Sequence, residues 1–258
     1  MRRVAAVLAA LIGVAIAAPA LAHDSFIIAP ARVSAGAPFT VQVTSSGFFP
    51  EPESPIRPAR IDRLLAFSGD QPLEAAPSAG DVAMTVALSA PGEDGAIIGL
   101  SLSPWDIDLG ADEIAHYMDE IGASAGLRTE AQAAAASGPM RETYTKHLKA
   151  LVCGADCASL AADRPLGLAL EFVTDPASPG AFRLLKSGSP LAGQAVFVTT
   201  EAGRQPLTTD THGAVTLPEG LAGPVLLMAV ELLPPSEPGG RFTSQWAALT
   251  FDAALLAR

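Results

Sequence analysis

Short runs of β-compatible residues, each ended by glycine, proline or serine, recur along most of this chain. The first hundred residues include DSFIIAP, PFTVQVTSS and GAIIGLSLSP, and the last hundred include PLGLALEFVT, LAGQAVFVTT and GPVLLMAVELL. In FTVQVT apolar and polar residues alternate, which is typical of a half-buried antiparallel strand. The 23 glycines and 22 prolines are spread among these runs and are not gathered in one linker. Many short strands separated by turns predict a mainly β fold of the sandwich type.

A helical pattern interrupts these runs between residues 111 and 152. Apolar residues at the spacing of one helix face occur twice, at Ile114, Tyr117, Met118 and Ile121 and again at Tyr144, Leu148, Leu151 and Val152. Between them lies the alanine-rich segment TEAQAAAASG, and Gly122 is a natural helix stop. We therefore expect a small helical insert at about 111–152.

The strand-like runs on the two sides of this insert predict two β-sandwich domains. Residues 23–162 are expected to form an N-terminal β domain that carries the insert. Residues 163–258 contain evenly spaced short strands over about 90 residues, which is the size of an immunoglobulin-like sandwich. Within this second domain, TTDTHGAVTL predicts a hairpin, because Asp210 can hydrogen-bond its own turn and Gly213 can adopt positive φ.

The chain begins with the pattern of a secretory signal peptide. Met1-Arg2-Arg3 supplies positive charge, residues 4–17 are apolar, and Ala20-Leu21-Ala22 is a small-residue cleavage motif. The apolar run is short and alanine-rich for a membrane span, although a retained N-terminal anchor stays open as an alternative. We expect cleavage after Ala22, a periplasmic location, and His23 as the first residue of the mature protein.

Charge and motifs exclude several classes of function. The formal net charge is −11, which argues against binding to nucleic acid or to anionic lipid. The sequence contains no Gly-x-Ser-x-Gly elbow, no His-Glu-x-x-His pair and no phosphate-binding glycine loop. We therefore predict that the protein is not an enzyme.

The two cysteines of the chain, Cys153 and Cys157, are only four residues apart. In an oxidising compartment such a pair is expected to form a local disulfide. Two thiolates also suit a soft metal, but no histidine or third cysteine lies within a few residues of them. The disulfide is the interpretation that we favour.

Seven segments appear in the order seen in a known periplasmic family. They are AHDSFIIAP, IAHYMDEIGA, RETYTKHLKALV, RPLGLALEFVTDP, GSPLAGQAVFV, TTDTHGAVTLP and SQWAALTF. The chain thereby resembles the family called domain of unknown function 4198, some members of which accompany nickel or cobalt uptake systems. The resemblance implies an exported β protein with a C-terminal immunoglobulin-like domain and a role in metal transport.

The same resemblance directs attention to His23, which matches a histidine found directly after the signal peptide in family members. A free N-terminal histidine can chelate a transition metal through its amine and its ring Nδ1, and such nitrogen donors suit Ni(II), Co(II) or Cu(II). Asp24 follows it, and in the strand MAVELLP, where members often carry a histidine, this chain has Glu231. His116 and His147 are the other candidate ligands, although each is also explained as an ordinary residue beside an apolar stripe.

Three functions therefore stay open at this point. The first is a metal-handling protein of a nickel or cobalt uptake system that delivers its ion to a membrane permease. The second is a non-catalytic envelope module that binds a protein or a glycan without metal. The third, a copper oxidase or oxygenase using His23, lacks an evident second histidine.

Overall fold

The computed structural model describes residues 23–176, 178, 180–237 and 239–256. The predicted leader, residues 1–22, lies outside the described residues. In the part of the chain that is described, the fold is mainly β, as predicted, with eighteen strands and two α-helices. No helix in that part is both long enough and apolar enough to cross a membrane.

The elements follow one another along the chain with short connections. The strands are β1 (Asp24–Ile28), β2 (Phe39–Ser46), β3 (Ser54–Pro55), β4 (Ile61–Ser68), β5 (Gln71–Pro72), β6 (Ala75–Ser78), β7 (Met84–Leu88), β8 (Ala96–Leu102), β9 (Trp105–Leu109), β10 (Met140–Val152), β11 (Leu170–Thr174), β12 (Ala181–Lys186), β13 (Ser189–Pro190), β14 (Ala195–Thr200), β15 (Gly203–Thr208), β16 (Ala214–Thr216), β17 (Pro224–Leu233) and β18 (Phe242–Asp252). The helices are α1 (Ala111–Glu120) and α2 (Ala125–Ala135).

These strands form three sheets. The first sheet has the order β1-β2-β7-β6, with β3 paired to β2. The central sheet has nine strands in the order β15-β14-β17-β18-β10-β8-β4-β5, with β9 also paired to β10. The third sheet has the order β11-β12-β13, with β16 paired to β12. The pairing of β10 with β18 is parallel, and all the other strand pairs named here are antiparallel.

The central sheet is the middle layer of the molecule, because each of its faces packs against other elements. On one face, residues such as Leu100 and Leu148 share a core with Val43 of the first sheet. Farther along this face, Trp246 packs with Met118 of α1. The opposite face forms a third core with the third sheet, built from residues that include Ile97, Leu249, Phe172 and Phe182.

The two helices confirm the first part of the predicted insert. Ile114, Tyr117 and Met118 are buried, as the helical spacing indicated. The Glu113 side chain accepts a hydrogen bond from the backbone N–H of Gly110 (2.8 Å), which is half of a capping box. Gly122 ends the first helix at φ 65°, and a Cβ there would lie 2.7 Å from Ala195 Cβ, so both backbone conformation and packing favour glycine.

The second part of the predicted insert is wrong, because residues 142–152 belong to the strand β10. From Lys146 to Val152 every residue of this strand is buried. Successive side chains point to opposite faces of the sheet, and here both faces are covered. A strand of this kind carries apolar residues on both faces and loses the simple alternation of a half-buried strand. The apparent helical spacing arose from that, because periodicity separates helix from strand poorly in a short apolar run.

The turn at residues 209–213 was predicted correctly, but its two flanking strands do not form a hairpin. Asp210 Oδ1 accepts hydrogen bonds from the backbone N–H groups of His212 (2.8 Å) and Ala214 (2.9 Å), and Gly213 has φ 71°. The strand before the turn, β15, pairs with β14 in the central sheet, whereas β16 pairs with β12 in the third sheet. The turn chemistry therefore carries the chain from one sheet to another.

The boundary predicted after residue 162 does not separate the sheets. The parallel register runs from Glu142 opposite Phe242 to Ala150 opposite Thr250, so strands from both predicted domains lie in one continuous sheet. The disulfide, in contrast, is confirmed: Cys153 and Cys157 are joined with an S–S distance of 2.09 Å, directly after β10.

A buried ion pair links the central sheet to the loop before β11. Lys149 Nζ donates hydrogen bonds to Glu171 Oε2 (3.3 Å) and to the backbone oxygens of Arg164 (2.8 Å) and Phe172 (3.1 Å). The Glu171 carboxylate also accepts hydrogen bonds from three successive backbone N–H groups, at residues 166–168, with distances of 2.8–3.2 Å. Both side chains are almost fully excluded from solvent. Hydrogen bonds therefore compensate the desolvation of both charges.

We predict that Glu171→Leu destabilises the protein by about 3–5 kcal/mol, because it leaves a buried ammonium without its counter-ion and three backbone N–H groups without their acceptor. Urea denaturation followed by circular dichroism measures the loss. The control is Asp119→Asn, whose carboxylate is exposed and pairs with Arg128 at 2.5 Å. That surface pair should contribute no more than about 1 kcal/mol. Equal losses in both variants would contradict the role assigned to Glu171.

Candidate functional site

Lys146 is the buried cation around which the candidate site is built. It lies on the face of β10 that packs against the first sheet, and its Nζ donates to the backbone oxygen of His23 (2.9 Å) and to Ser25 Oγ (3.0 Å). The ammonium also lies 4.7 Å from the centre of the Trp246 ring, within the range of a cation–π interaction. The start of β1 is thereby tied to the central sheet through one side chain.

Three carboxylates act electrostatically on this ammonium. They belong to Asp24 on β1, Glu120 at the end of α1, and Glu142 on β10. Burial lowers the pKa of Lys146 to about 8, and the carboxylates of Asp24 and Glu120 oppose that shift. At neutral pH the amine is therefore still protonated. We call His23, Asp24, Glu120, Glu142, Lys146 and Arg204 the Lys146 cluster.

Arg204 connects three elements at the rim of this cluster. It extends from β15 over the ring of Phe197, with 3.9 Å between the guanidinium carbon and the ring centre. One nitrogen lies 3.4 Å from Asp24 Oδ2, and another donates to the backbone oxygen of Glu120 (2.8 Å). The arginine side chain therefore holds β1 and the end of α1 against the edge of the central sheet.

The acids of the cluster are shifted towards their neutral forms. Burial raises the pKa of Asp24, against the attraction of Arg204 and Lys146. Burial, and then repulsion by Asp24, raises the pKa of Glu120 to about 7. Among the described residues, Asp24 Oδ1, Glu120 Oε2 and Glu142 Oε2 are buried oxygens without a hydrogen-bond partner. Such oxygens in one charged cluster mark a candidate site for a ligand or a proton.

The other oxygen of Glu142 is fully engaged in a separate network. Its Oε1 accepts hydrogen bonds from Tyr117 Oη (2.8 Å) and from Ser244 Oγ, and Ser244 Oγ in turn accepts one from Trp246 Nε1 (2.9 Å). This network joins α1 to β10 and β18. Glu142 therefore fixes the position of the helix whose last residue, Glu120, belongs to the cluster.

The ring of His23 lies at the surface edge of the cluster, with 31% of the side chain exposed. Its Nε2 is 3.6 Å from Glu53 Oε2, an ion-pair distance that is too long for a direct hydrogen bond. Glu53 is itself held by the backbone N–H of Gly47 (3.2 Å), and the ring packs over Gly47. The ring nitrogen that faces this carboxylate is therefore Nε2.

The other predicted metal ligands lie elsewhere. His147 points to the opposite face of the central sheet from Lys146, where Nδ1 is 2.9 Å from Ser101 Oγ and Nε2 is 2.7 Å from Gln245 Oε1. Glu231 pairs with Lys186 at 2.6 Å on the side of the third sheet, and His116 is exposed on α1. The structure therefore does not bring these three residues to His23. Among residues 23–256, apart from the three undescribed positions, no group of three metal-donor side chains is assembled.

No sequence pattern pointed directly to Lys146, Glu120 or Arg204. In a helix Glu142 and Lys146 would form an i, i+4 pair on the surface. In the strand they share a face as well, because both positions are even, but that face is buried. The signal that was missed is that Lys146 and Lys149 are three residues apart. In a strand, this odd spacing places the two lysines on opposite faces of the sheet.

The searches for related proteins found no matching family model and no matching curated protein.

We predict that Glu120→Gln flattens the pH dependence of stability between about pH 4.5 and 7. In the wild type the folded state binds the Glu120 proton more tightly than the unfolded state, whose pKa is about 4.5. The free energy of unfolding should therefore fall as the pH rises through this window. Urea denaturation at pH 4.5, 6 and 7.5 measures the slope.

The matched control for this experiment is Glu130→Gln, because Glu130 is an exposed residue of α2. Its pH profile should follow the wild type. Parallel profiles for wild type and Glu120→Gln would show that Glu120 titrates normally in the folded protein.

Proposed function

We propose that this chain is a periplasmic metal-handling protein that binds Ni(II), Co(II) or Cu(II) at His23 as part of a nickel or cobalt uptake system. The proposal rests first on the seven ordered segments that resemble family 4198. The observation that carries it further is the position of the His23 ring, whose Nε2 faces Glu53 at 3.6 Å. The metal is cargo in this function, and a membrane permease is the expected partner.

The donor set at residue 23 suits such an ion. Cleavage after Ala22 frees an α-amine, whose pKa is ordinarily near 7.7–8.0, so its deprotonation at a metal costs little near neutral pH. The amine and Nδ1 of the same residue close a chelate ring, while Glu53 faces the other ring nitrogen, Nε2, at 3.6 Å. Metal binding then releases the α-ammonium proton to solvent.

The residue that follows His23 in the chain supplies the most suitable third donor. Asp24 follows His23 directly, and its Oδ1 is buried without a hydrogen-bond partner among the described residues. Its other oxygen is oriented by Arg204 at 3.4 Å. This set of His23 and Asp24, supported by Glu53, replaces the predicted contributions of Glu231, His116 and His147.

A second candidate is the non-catalytic envelope module that binds a protein or a glycan. The observation that favours it is the exposure of two aromatic side chains, Phe48 (72%) and Trp105 (50%). The Trp105 ring also stacks with the guanidinium of Arg60 at 4.5 Å. In this function His23 has no ligand role.

The division into two sandwich domains also stays a proposal. We infer that the first sheet forms one sandwich with five strands of the central sheet, namely β4, β5, β8, β9 and β10. The second, immunoglobulin-like sandwich then consists of the third sheet and β14, β15, β17 and β18. Its support is the core shared by Phe182 and Leu184 of β12 with Val196 of β14 and Leu249 of β18.

We predict that the mature protein binds at least one of Ni(II), Co(II) and Cu(II), and that His23→Ala abolishes the binding. The reason is that this substitution removes the imidazole half of the chelate. Isothermal titration calorimetry in a buffer that does not bind metal measures the affinity. The matched control is His212→Ala in the exposed turn at residues 209–213, which should bind as the wild type does. Equal heats for wild type and His23→Ala would leave the metal-free envelope module as the remaining candidate.

We predict further that the exported chain begins at His23. Intact-mass spectrometry of protein purified from the periplasm decides this, because each alternative cleavage position changes the mass by a whole residue. A chain that begins before or after His23 has no histidine amine, and the proposed chelate would then be impossible.

A further inference from the structure

We propose that Lys146 is a positioning residue that holds His23 in place for metal binding. This inference rests on the proposed function of His23. Its basis is geometric: the Lys146 ammonium donates to the backbone oxygen of His23 at 2.9 Å and to Ser25 Oγ at 3.0 Å. A residue at a chain terminus is otherwise held from one side only, and a fixed carbonyl removes much of its freedom.

The lysine can do this because its own position is fixed. It lies on an interior strand between β8 and β18, in register with Trp246. Its side chain is buried, and the ammonium lies over the Trp246 ring. The hydrogen bonds to β1 therefore come from a rigid layer of the molecule, which is what a preorganised binding site requires.

The hydroxyl of Ser25 is itself placed by a neighbour on the other side of β1. Its Oγ lies 2.5 Å from Ser45 Oγ, across the antiparallel register of β1 and β2. The ammonium of Lys146 is thus directed to two oxygens that flank Asp24, one on each side of it in sequence. This arrangement sets the backbone of residues 23–25 and with it the relative position of the His23 ring and the Asp24 carboxylate.

The positive charge of Lys146 would by itself repel a metal ion, but three carboxylates also act on the ammonium. Asp24, Glu120 and Glu142 attract the ammonium electrostatically, whereas Arg60 repels it. The cluster contains these three carboxylates together with the cations of Lys146 and Arg204. Lys146 therefore acts on His23 through hydrogen bonds, while the surrounding carboxylates offset its repulsion of a bound cation.

The test is Lys146→Met, studied as the full mature chain. The substitution keeps the apolar stem of the side chain as far as the ε position and removes the ammonium. We expect the affinity for the metal that the wild type binds to fall by about 10–100-fold, the size typical for loss of an outer-shell partner. In the metal-free protein we expect narrower NMR lines and a more solvent-like chemical shift for the His23 ring protons, because the terminal residue becomes mobile.

The matched control is Lys186→Met. Lys186 is a lysine of β12 that pairs with Glu231 on the other side of the central sheet. The Lys186→Met substitution should leave both the His23 signals and the metal affinity unchanged, whatever its effect on the melting temperature. If Lys146→Met does not fold, Lys146→Gln carries the same test, because its side chain is one bond shorter and does not reach the His23 carbonyl.

The NMR and calorimetric results separate this inference from the proposed function. A wild type that binds none of the three metals overturns the function, and the His23 line widths of the metal-free proteins still decide the role of Lys146. A folded Lys146 variant whose His23 signals match the wild type overturns the inference, even if the wild type binds metal.

Discussion

Parallel hydrogen bonding between β10 and β18 places β10 in the interior of the central sheet, with β8 and β9 on its other side. From Lys146 onward this strand is buried on both faces. A polar side chain on such a strand has no access to water, so it must find its partners inside the protein. Lys146 does so on the face towards the first sheet, and His147 and Lys149 do so on the opposite face.

The two lysines of this strand compensate the desolvation of a buried ammonium in two different ways. Lys149 is compensated by a carboxylate, Glu171, that is itself saturated with backbone N–H donors. The result fixes a loop and connects two layers, which is a structural role. Lys146 contacts two neutral oxygens at the start of β1, and the carboxylates that attract it retain oxygens without partners. The first arrangement is complete within the protein, whereas the second leaves capacity to interact with a further charge.

Local sequence patterns predicted the elements whose stability is local. The β-rich character, the helix stripe around Tyr117, the Asp210–Gly213 turn and the Cys153–Cys157 disulfide depend on residues that are close in the chain. The strand β10 was missed because its burial on both faces depends on strands that are distant in sequence. The hairpin was missed for a related reason: turn chemistry fixes the local backbone but not the strand with which each arm pairs.

The candidate site divides in the same way. The sequence by itself determined the mainly β type of fold and, through the predicted leader, made His23 and Asp24 candidate ligands. Only the tertiary structure decided which residues surround them. Lys146, Glu53 and Arg204 lie near them, whereas His147 and Glu231 lie on the opposite face of the central sheet. The physical reason is that strand register determines the face on which each side chain lies, and register depends on the burial of the whole sheet between two other layers.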